Sequence, residues 1–245
     1  LQHARHISER TKGAFDVTVG PLVNLWGFGP ETADEQLPSE QAIRAAMDRV
    51  GYTLLQLRSV PPAIKKNRAD LYVDLSAIAK GHAVDVIAEY LRGLGIENYM
   101  VEIGGEVRAE GRNARGNLWR IAIEKPATGS RSLHAIVELD NTGIATSGDY
   151  RNYFEIEGRR YSHTIDPRSG KPITHRLASV TVIHDSCMVA DGLATAINVM
   201  GPENGYKFAL DRELPVLLIV RGNEGFKEQM TPQFQEILDY NKNGN

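Results

Sequence analysis

Residues 99–111 read YMVEIGGEVRAEG. Two short runs, 99–103 and 107–111, flank a Gly-Gly turn, and that combination reads as an antiparallel hairpin. The pattern continues outward in both directions. Strands are expected at 119–123, 135–139, 144–146, 153–156 and 160–165, with Glu-Gly and Asn-Thr-Gly among the turns between them. Residues 179–184 and 216–220 add two more, and a short strand or helix closes the chain.

Helices are interspersed among these strands. Ala83, Val86, Ile87, Tyr90, Leu91 and Leu94 recur at the spacing of an amphipathic helix that Gly95 stops. Ser39 is placed to cap a helix carrying Ile43, Ala46, Met47 and Val50, and Gly51 ends it. A helix over 188–200 meets Gly201-Pro202, and a polar one follows near 203–210. Residues 15–19 alternate like a short strand running into Gly20-Pro21 and a brief helix through Trp26. Residues 71–75 read as a strand leading directly into the helix at 83–94. Helices among mostly antiparallel strands predict an α+β fold, not a doubly wound parallel sheet. No repeat or low-complexity linker divides the chain, so residues 1–245 are read as one domain.

Composition bounds the function. The chain has 245 residues, 42% hydrophobic and 24% charged, which is enough for a sizeable core. Its 28 Lys and Arg against 31 Asp and Glu leave no basic footprint, and no nucleic-acid partner is expected. The single cysteine, Cys187, rules out an internal disulfide and a Cys-rich zinc site. No stretch approaches the ~20 apolar residues of a membrane span. Residues 1–10 lack the apolar region of a secretory signal and read as the tail of a helix, so upstream sequence is expected.

Several segments carry polar groups in patterns suited to chemistry. Ser162 to Pro172, SHTIDPRSGKP, is turn chemistry repeated three times, and His163 within it is suited to act as base or donor near neutrality; a solvated connection explains the loop equally well. Asp191 and Thr195 lie one helical turn apart, a carboxylate and a hydroxyl suited to a hard cation such as Mg²⁺. The alternative is an acidic residue favouring the helix dipole. Asp74-Leu-Ser-Ala77-Ile-Ala-Lys80-Gly81 joins a carboxylate, a turn and a lysine at a helix start, a geometry that can bind an anion or simply cap a helix. Its spacing is not that of a P-loop. The segments 102–106 and 143–150 place Gly104, Gly105, Thr146, Ser147 and Asp149 at turns whose roles the residues alone leave open.

Together these segments resemble the ApbE-type FAD:protein FMN transferases. The motifs run in order: GAFDVTVGPLVNLWGFG from Gly13, DLSAIAKGHAVD from Asp74, VEIGGEVRAEG from Val101, GIATSGDYRNYF from Gly143, SHTIDPRSGKP from Ser162 and VADGLATA from Val189. The resemblance implies Mg²⁺-dependent transfer of FMN from FAD to a Thr or Ser hydroxyl of an acceptor protein, with release of AMP. Within it, Asp191 and Thr195 would bind Mg²⁺ by their side chains and Ala77 by its carbonyl, while Ala14, Phe15, Asp16, Asp74, Lys80 and Ile165 would contact FAD. Asp191 and His163 would carry the catalysis, His163 orienting or deprotonating the acceptor hydroxyl or assisting the leaving AMP. The resemblance also implies acceptors among subunits of membrane redox pumps, and a lipid anchor preceding Leu1 on the periplasmic side of the inner membrane. Two other readings use the same residues: an FAD pyrophosphatase giving FMN and AMP, and a flavin carrier without turnover.

Overall fold

In the computed structural model the described residues are 1–30, 37–124, 133–148, 153–156, 158–223 and 225–243. They form two compact units: residues 1–77 with 152–174, and residues 78–151 with 175–245. The elements of the first are α1 (Gln2–Arg10), α2 (Gly20–Leu25), α3 (Glu40–Met47), β1 (Leu55–Arg58), β2 (Ala63–Lys66), β8 (Tyr153–Ile156), β9 (Arg159–Ser162), β10 (Ile165–Asp166) and β11 (Lys171–Pro172). The second holds α4 (Ala79–Gly93), β3 (Tyr99–Ile103), β4 (Glu106–Glu110), β5 (Trp119–Glu124), β6 (Leu133–Leu139), β7 (Thr142–Gly148), β12 (Leu177–His184), α5 (Cys187–Leu210), β13 (Val216–Gly222), β14 (Gly225–Met230) and α6 (Pro232–Asn243). Six helices and antiparallel strand pairs make the fold α+β, as expected.

In the first unit three antiparallel hairpins, β1–β2, β8–β9 and β10–β11, accompany the helices. Leu22, Trp26, Ile43, Ala46, Tyr161 and Ile165 form its core. Ser39 caps α3 as its spacing predicts, accepting from the Ala42 amide. Two expected strands are absent. Residues 15–19 are a turn, because the Asp16 carboxylate accepts from both the amide and the hydroxyl of Thr18 and bends the chain on itself. Residues 71–75 are extended but unladdered: Asp74 donates its amide to the Val17 carbonyl at 2.7 Å, and Tyr72 lies so close over Gly20 that a Cβ there would overlap its ring.

In the second unit the central sheet runs β14-β13-β12-β7-β4-β3, each neighbouring pair antiparallel. The hairpin 99–111 that opens the sequence reading is β3 and β4, paired from Tyr99–Glu110 to Ile103–Glu106. One face buries Val107, Ala109, Ile144, Ile183, Leu217 and Ile219 together with Ile123, Val137 and Leu139 of the β5–β6 hairpin and Phe234 of α6. The other face receives α4 and α5, with Val84 and Ala88 meeting Tyr99, Val101 and Cys187. β12, covered on both sides, is buried almost throughout, Ser179 and Thr181 included. α5 breaks where predicted, Gly201 taking φ 80° ahead of Pro202.

α4 is turned over relative to its sequence pattern. Gly81, Val84, Asp85 and Ala88 are buried, whereas Val86, Ile87, Tyr90 and Leu94 are exposed. Charge is the reason. Lys80 pairs with Glu106 at 2.5 Å, Asp85 with Arg108 at 3.1 Å and Arg92 with Glu110 at 2.8 Å, so the polar stripe of α4 lies on the charged face of β4.

Where α4 meets the start of α5, a Cβ on Gly81 would overlap the Cys187 carbonyl oxygen and stand 2.7 Å from Met188 Cα. Both neighbours are backbone and cannot rotate away. Gly81→Ala is therefore expected to destabilise the protein by about 1–3 kcal/mol or more despite the ~1 kcal/mol helix preference of alanine. Gly93, with nothing within 4 Å on the same helix, is the control, and Gly93→Ala is expected to hold or raise the melting temperature. Thermal melts of the two variants check this, and a stabilised Gly81→Ala would refute the close-approach account.

Candidate active site

The second unit gathers most of the chemistry at the first turns of α4 and α5. Asp191 is almost fully buried, and one of its oxygens accepts the Gly81 amide of α4 at 3.0 Å. Asp85 on α4 does the reverse. Its carboxylate accepts from the amides of Cys187 and Met188, both at 3.0 Å, and from the Ser186 hydroxyl at 2.7 Å. Ser186 in turn accepts the Val189 amide, so the start of α5 is capped from two sources. Each helix thus supplies a carboxylate to the amides of the other.

Lys80 sits in the first turn of α4, and its ammonium touches the Glu106 carboxylate, which is 2% exposed. Burial pushes the Glu106 carboxyl above the ordinary range; Lys80 opposes the shift, and the Asp191 charge adds to it. Burial likewise raises Asp191, opposed by the Gly81 amide and by Lys80. Two buried carboxylates thus share one ammonium. Half-buried Thr195, one turn along α5, places its hydroxyl 3.1 Å from the Ser147 hydroxyl. Thr146 bonds Thr181 at 2.9 Å from the opposite face of the sheet. Asp149 lies outside the described residues.

The first unit holds the other predicted residues. Ala14 and Phe15 are buried, and their amides donate to the Thr11 carbonyl at 3.2 Å and the Thr11 hydroxyl at 3.3 Å. Asp16 is also buried: besides Thr18 it accepts the Tyr52 amide at 2.7 Å, while Thr18 accepts the Gly51 amide at 2.7 Å. Desolvation raises the Asp16 carboxyl against the pull of these donors. Asp74 is half-buried and accepts the Ser76 amide at 2.8 Å. Ala77 ends the first stretch of this unit and immediately precedes Ile78, the residue before α4. Ile165 belongs to the core.

Most charged groups of the 162–172 loop are spent within the unit. Asp166 holds Arg168 through backbone and guanidinium, Lys171 pairs with Glu40, and the Gly170 carbonyl accepts the Trp26 indole N–H at 2.8 Å. A Cβ on Gly170 would meet Ile43 and Met47 at 2.9 Å. The loop is a small hairpin pressed on α3. Half-buried His163 stands at its entry, edge-on to Phe28, which continues a line of rings through Phe154 and Tyr161 to Trp26.

The family model "ApbE family" matches residues 1–218. The chain belongs to the ApbE family. It is 52% identical over 238 residues to a protein named FAD:protein FMN transferase from Vibrio cholerae, spanning 97% of this chain and 71% of that one. Among solved structures it resembles the flavin transferase ApbE from Vibrio cholerae, at 49% identity and TM-score 0.88 over 97% of this chain and 75% of the other. The apo flavinyl transferase ApbE of Pseudomonas stutzeri follows at 46% identity and TM-score 0.86, over 96% and 72%.

For an ApbE protein the donor set suits Mg²⁺. Asp191 and Thr195 offer hard oxygen ligands, and the excess negative charge around Lys80 favours a cation. Among the described residues no three His, Cys, Asp or Glu side chains converge. Sequence reasoning missed Glu106 and the Asp85–Arg108 pair. The alternation Glu106, Arg108, Glu110 was their signal, but it reads as a solvent face.

A raised carboxyl makes a signed prediction. In the folded chain Asp191 holds its proton more tightly than in the unfolded chain, so the stability it supplies is complete below the ordinary carboxylate pKa and is lost as pH rises through the raised one. Asp191→Asn keeps an oxygen for the Gly81 amide and removes that loss. Melted in EDTA, the variant is expected to gain on the wild type from pH 4 to pH 8 while activity falls at least ~100-fold. A gap that does not change with pH would contradict the assignment.

Proposed function

We infer that this chain is an FAD:protein FMN transferase, moving FMN from FAD onto an acceptor protein. The observation that carries the reading is the buried Asp191, one turn from Thr195 and bonded to the turn that bears Lys80, in a chain of the ApbE family.

The reaction breaks a phosphoanhydride bond of FAD and forms a phosphate ester with the acceptor. A hydroxyl oxygen of the acceptor, taken as Thr or Ser, attacks the phosphorus on the FMN side, the bond to the bridging oxygen breaks, and AMP leaves with that oxygen. The hydroxyl proton must be taken up. Asp191, Thr195 and the Ala77 carbonyl are assigned to hold Mg²⁺, which when bound would neutralise charge on the phosphate oxygens. Lys80 supplies a further positive charge for the same anion. Ala14, Phe15, Asp16, Asp74 and Ile165 are assigned to contact FAD. His163 is assigned the hydroxyl proton. On family resemblance we take the acceptors to be subunits of membrane redox pumps and the reaction to be periplasmic.

Incubation with FAD, Mg²⁺ and a candidate acceptor domain, followed by AMP release and acceptor mass, tests the function. Acceptor that gains FMN is the expected result, and EDTA is expected to reduce it to background. AMP without acceptor gain would make the protein a pyrophosphatase, and neither product would make it a carrier.

His163→Ala has its own expected outcome. Loss of a general base typically costs ~10²–10⁴-fold in turnover, with FAD binding little changed. Full activity would remove His163 from the mechanism.

A further inference from the structure

Two features converge on Lys80 from the turn between β3 and β4. Glu106, the first residue of β4, seats the ammonium at 2.5 Å from a carboxylate whose side chain is only 3% exposed, whereas the lysine is 43% exposed. Gly104 lies under the stem: a Cβ built there would stand 3.2 Å from Lys80 Cδ, at a φ of +62°. That is tighter than ordinary van der Waals contact, so a side chain at 104 would shift the lysine stem by a few tenths of an ångström. Gly105 has the more demanding φ of +102° but meets nothing within 4 Å. Both glycines suit the positive φ of the turn, and Gly104 in addition leaves room for the lysine stem.

We propose that Gly104 and Glu106 are positioning residues for Lys80: the glycine lets the stem lie flat and the buried carboxylate fixes the ammonium, which presents its remaining donors to the anionic diphosphate of the substrate. The burial contrast supports this. A flexible lysine on a solvated face carries about 2 kcal/mol of side-chain entropy, and a single exposed ion pair holds it poorly. Here one partner is immobile in the fold and has been desolvated, so the lysine is the only mobile member. The ammonium has three N–H donors, and Glu106 need occupy only one.

The substrate named in this proposal rests on the FAD:protein FMN transferase reading; the seating of Lys80 does not. Two measurements separate them. The first is independent of activity: brief acetylation by acetic anhydride, with Lys80 followed by peptide mass spectrometry. An ammonium seated on a carboxylate is less accessible than a solvated one, so Lys80 is expected to label at least about three-fold faster in Glu106→Gln and Gly104→Ala, and at the wild-type rate in Gly105→Ala. Equal labelling in all four proteins would overturn the proposal, whatever the protein's activity.

The second is a double-mutant cycle on kcat/KM for FAD. Glu106→Gln alone is expected to lower it about ten-fold, and less than two-fold in a Lys80→Met background, because a residue acting through Lys80 has nothing to position once the ammonium is gone. The same ten-fold loss in both backgrounds would overturn the proposal. Gly105→Ala guards against a merely structural effect, since it is expected to lower the melting temperature through its φ yet leave the KM for FAD unchanged. A KM that rises in Gly105→Ala as much as in Gly104→Ala would also overturn it. If the wild type transfers no FMN, the functional reading fails and the labelling result alone decides the seating.

Discussion

The second unit depends on one close approach, the passage of α4 over the start of α5 at Gly81. Its missing side chain lets the two helix starts meet, and only at that distance can each helix use the other's carboxylate. Asp85 then satisfies amides of α5 that have no intrahelical partner, and Asp191 satisfies one of α4. Neither carboxylate would tolerate separation. A buried anion deprived of its donors costs several kcal/mol, so the crossing and the two acids stabilise each other. Asp191 reaches its place in the candidate site as part of that arrangement, and the geometry of the site is inherited from helix packing.

The same crossing explains why α4 lies with its apolar stripe outward. Burying Val86, Ile87, Tyr90 and Leu94 would be worth roughly 1.5–3 kcal/mol each by transfer. It would also turn Asp85 away from α5 and leave Arg108, now 7% exposed, without its partners Asp85 and Glu89 on α4. Breaking a buried pair typically costs about 3–5 kcal/mol, and Glu106 and the amides of α5 would be stranded as well. Specific polar contacts set the rotation of the helix against a real hydrophobic preference, which was visible in the sequence as periodicity but not as direction.

That contrast marks what was legible. The hairpin at 99–111, the Ser39 cap and the break at Gly201-Pro202 follow from local backbone chemistry, and the structure has all three. Residues 15–19 and 71–75 alternate correctly for strands, yet tertiary groups decide them: the Asp16 carboxylate captures one segment and a single amide bond to Val17 pins the other. Candidate site residues were recognisable as ordered motifs, but their division of labour was not. In the 162–172 loop Asp166, Arg168 and Lys171 are occupied within the fold. Glu106, at the edge of a Gly-Gly turn in sequence, is buried.

Burying Asp191 and Glu106 beside one lysine is unfavourable for the isolated chain, since desolvation raises both carboxyls and their charges oppose each other. A protein selected only for stability would replace one of them. Their retention is intelligible if the cost is recovered on binding. A hard dication would reverse the sign of the local charge from negative to positive, and a diphosphate needs that reversal before it can enter a site walled by acids. The two carboxylates then differ in what they hold. On the proposed assignment Asp191 would face the cation, whereas Glu106 pairs with the lysine. A lysine with only Asp191 to bind would occupy the metal's ligand. Held by Glu106 instead, Lys80 would leave Asp191 available to the proposed metal and remain a cation for the phosphate, a division of labour that needs two acids.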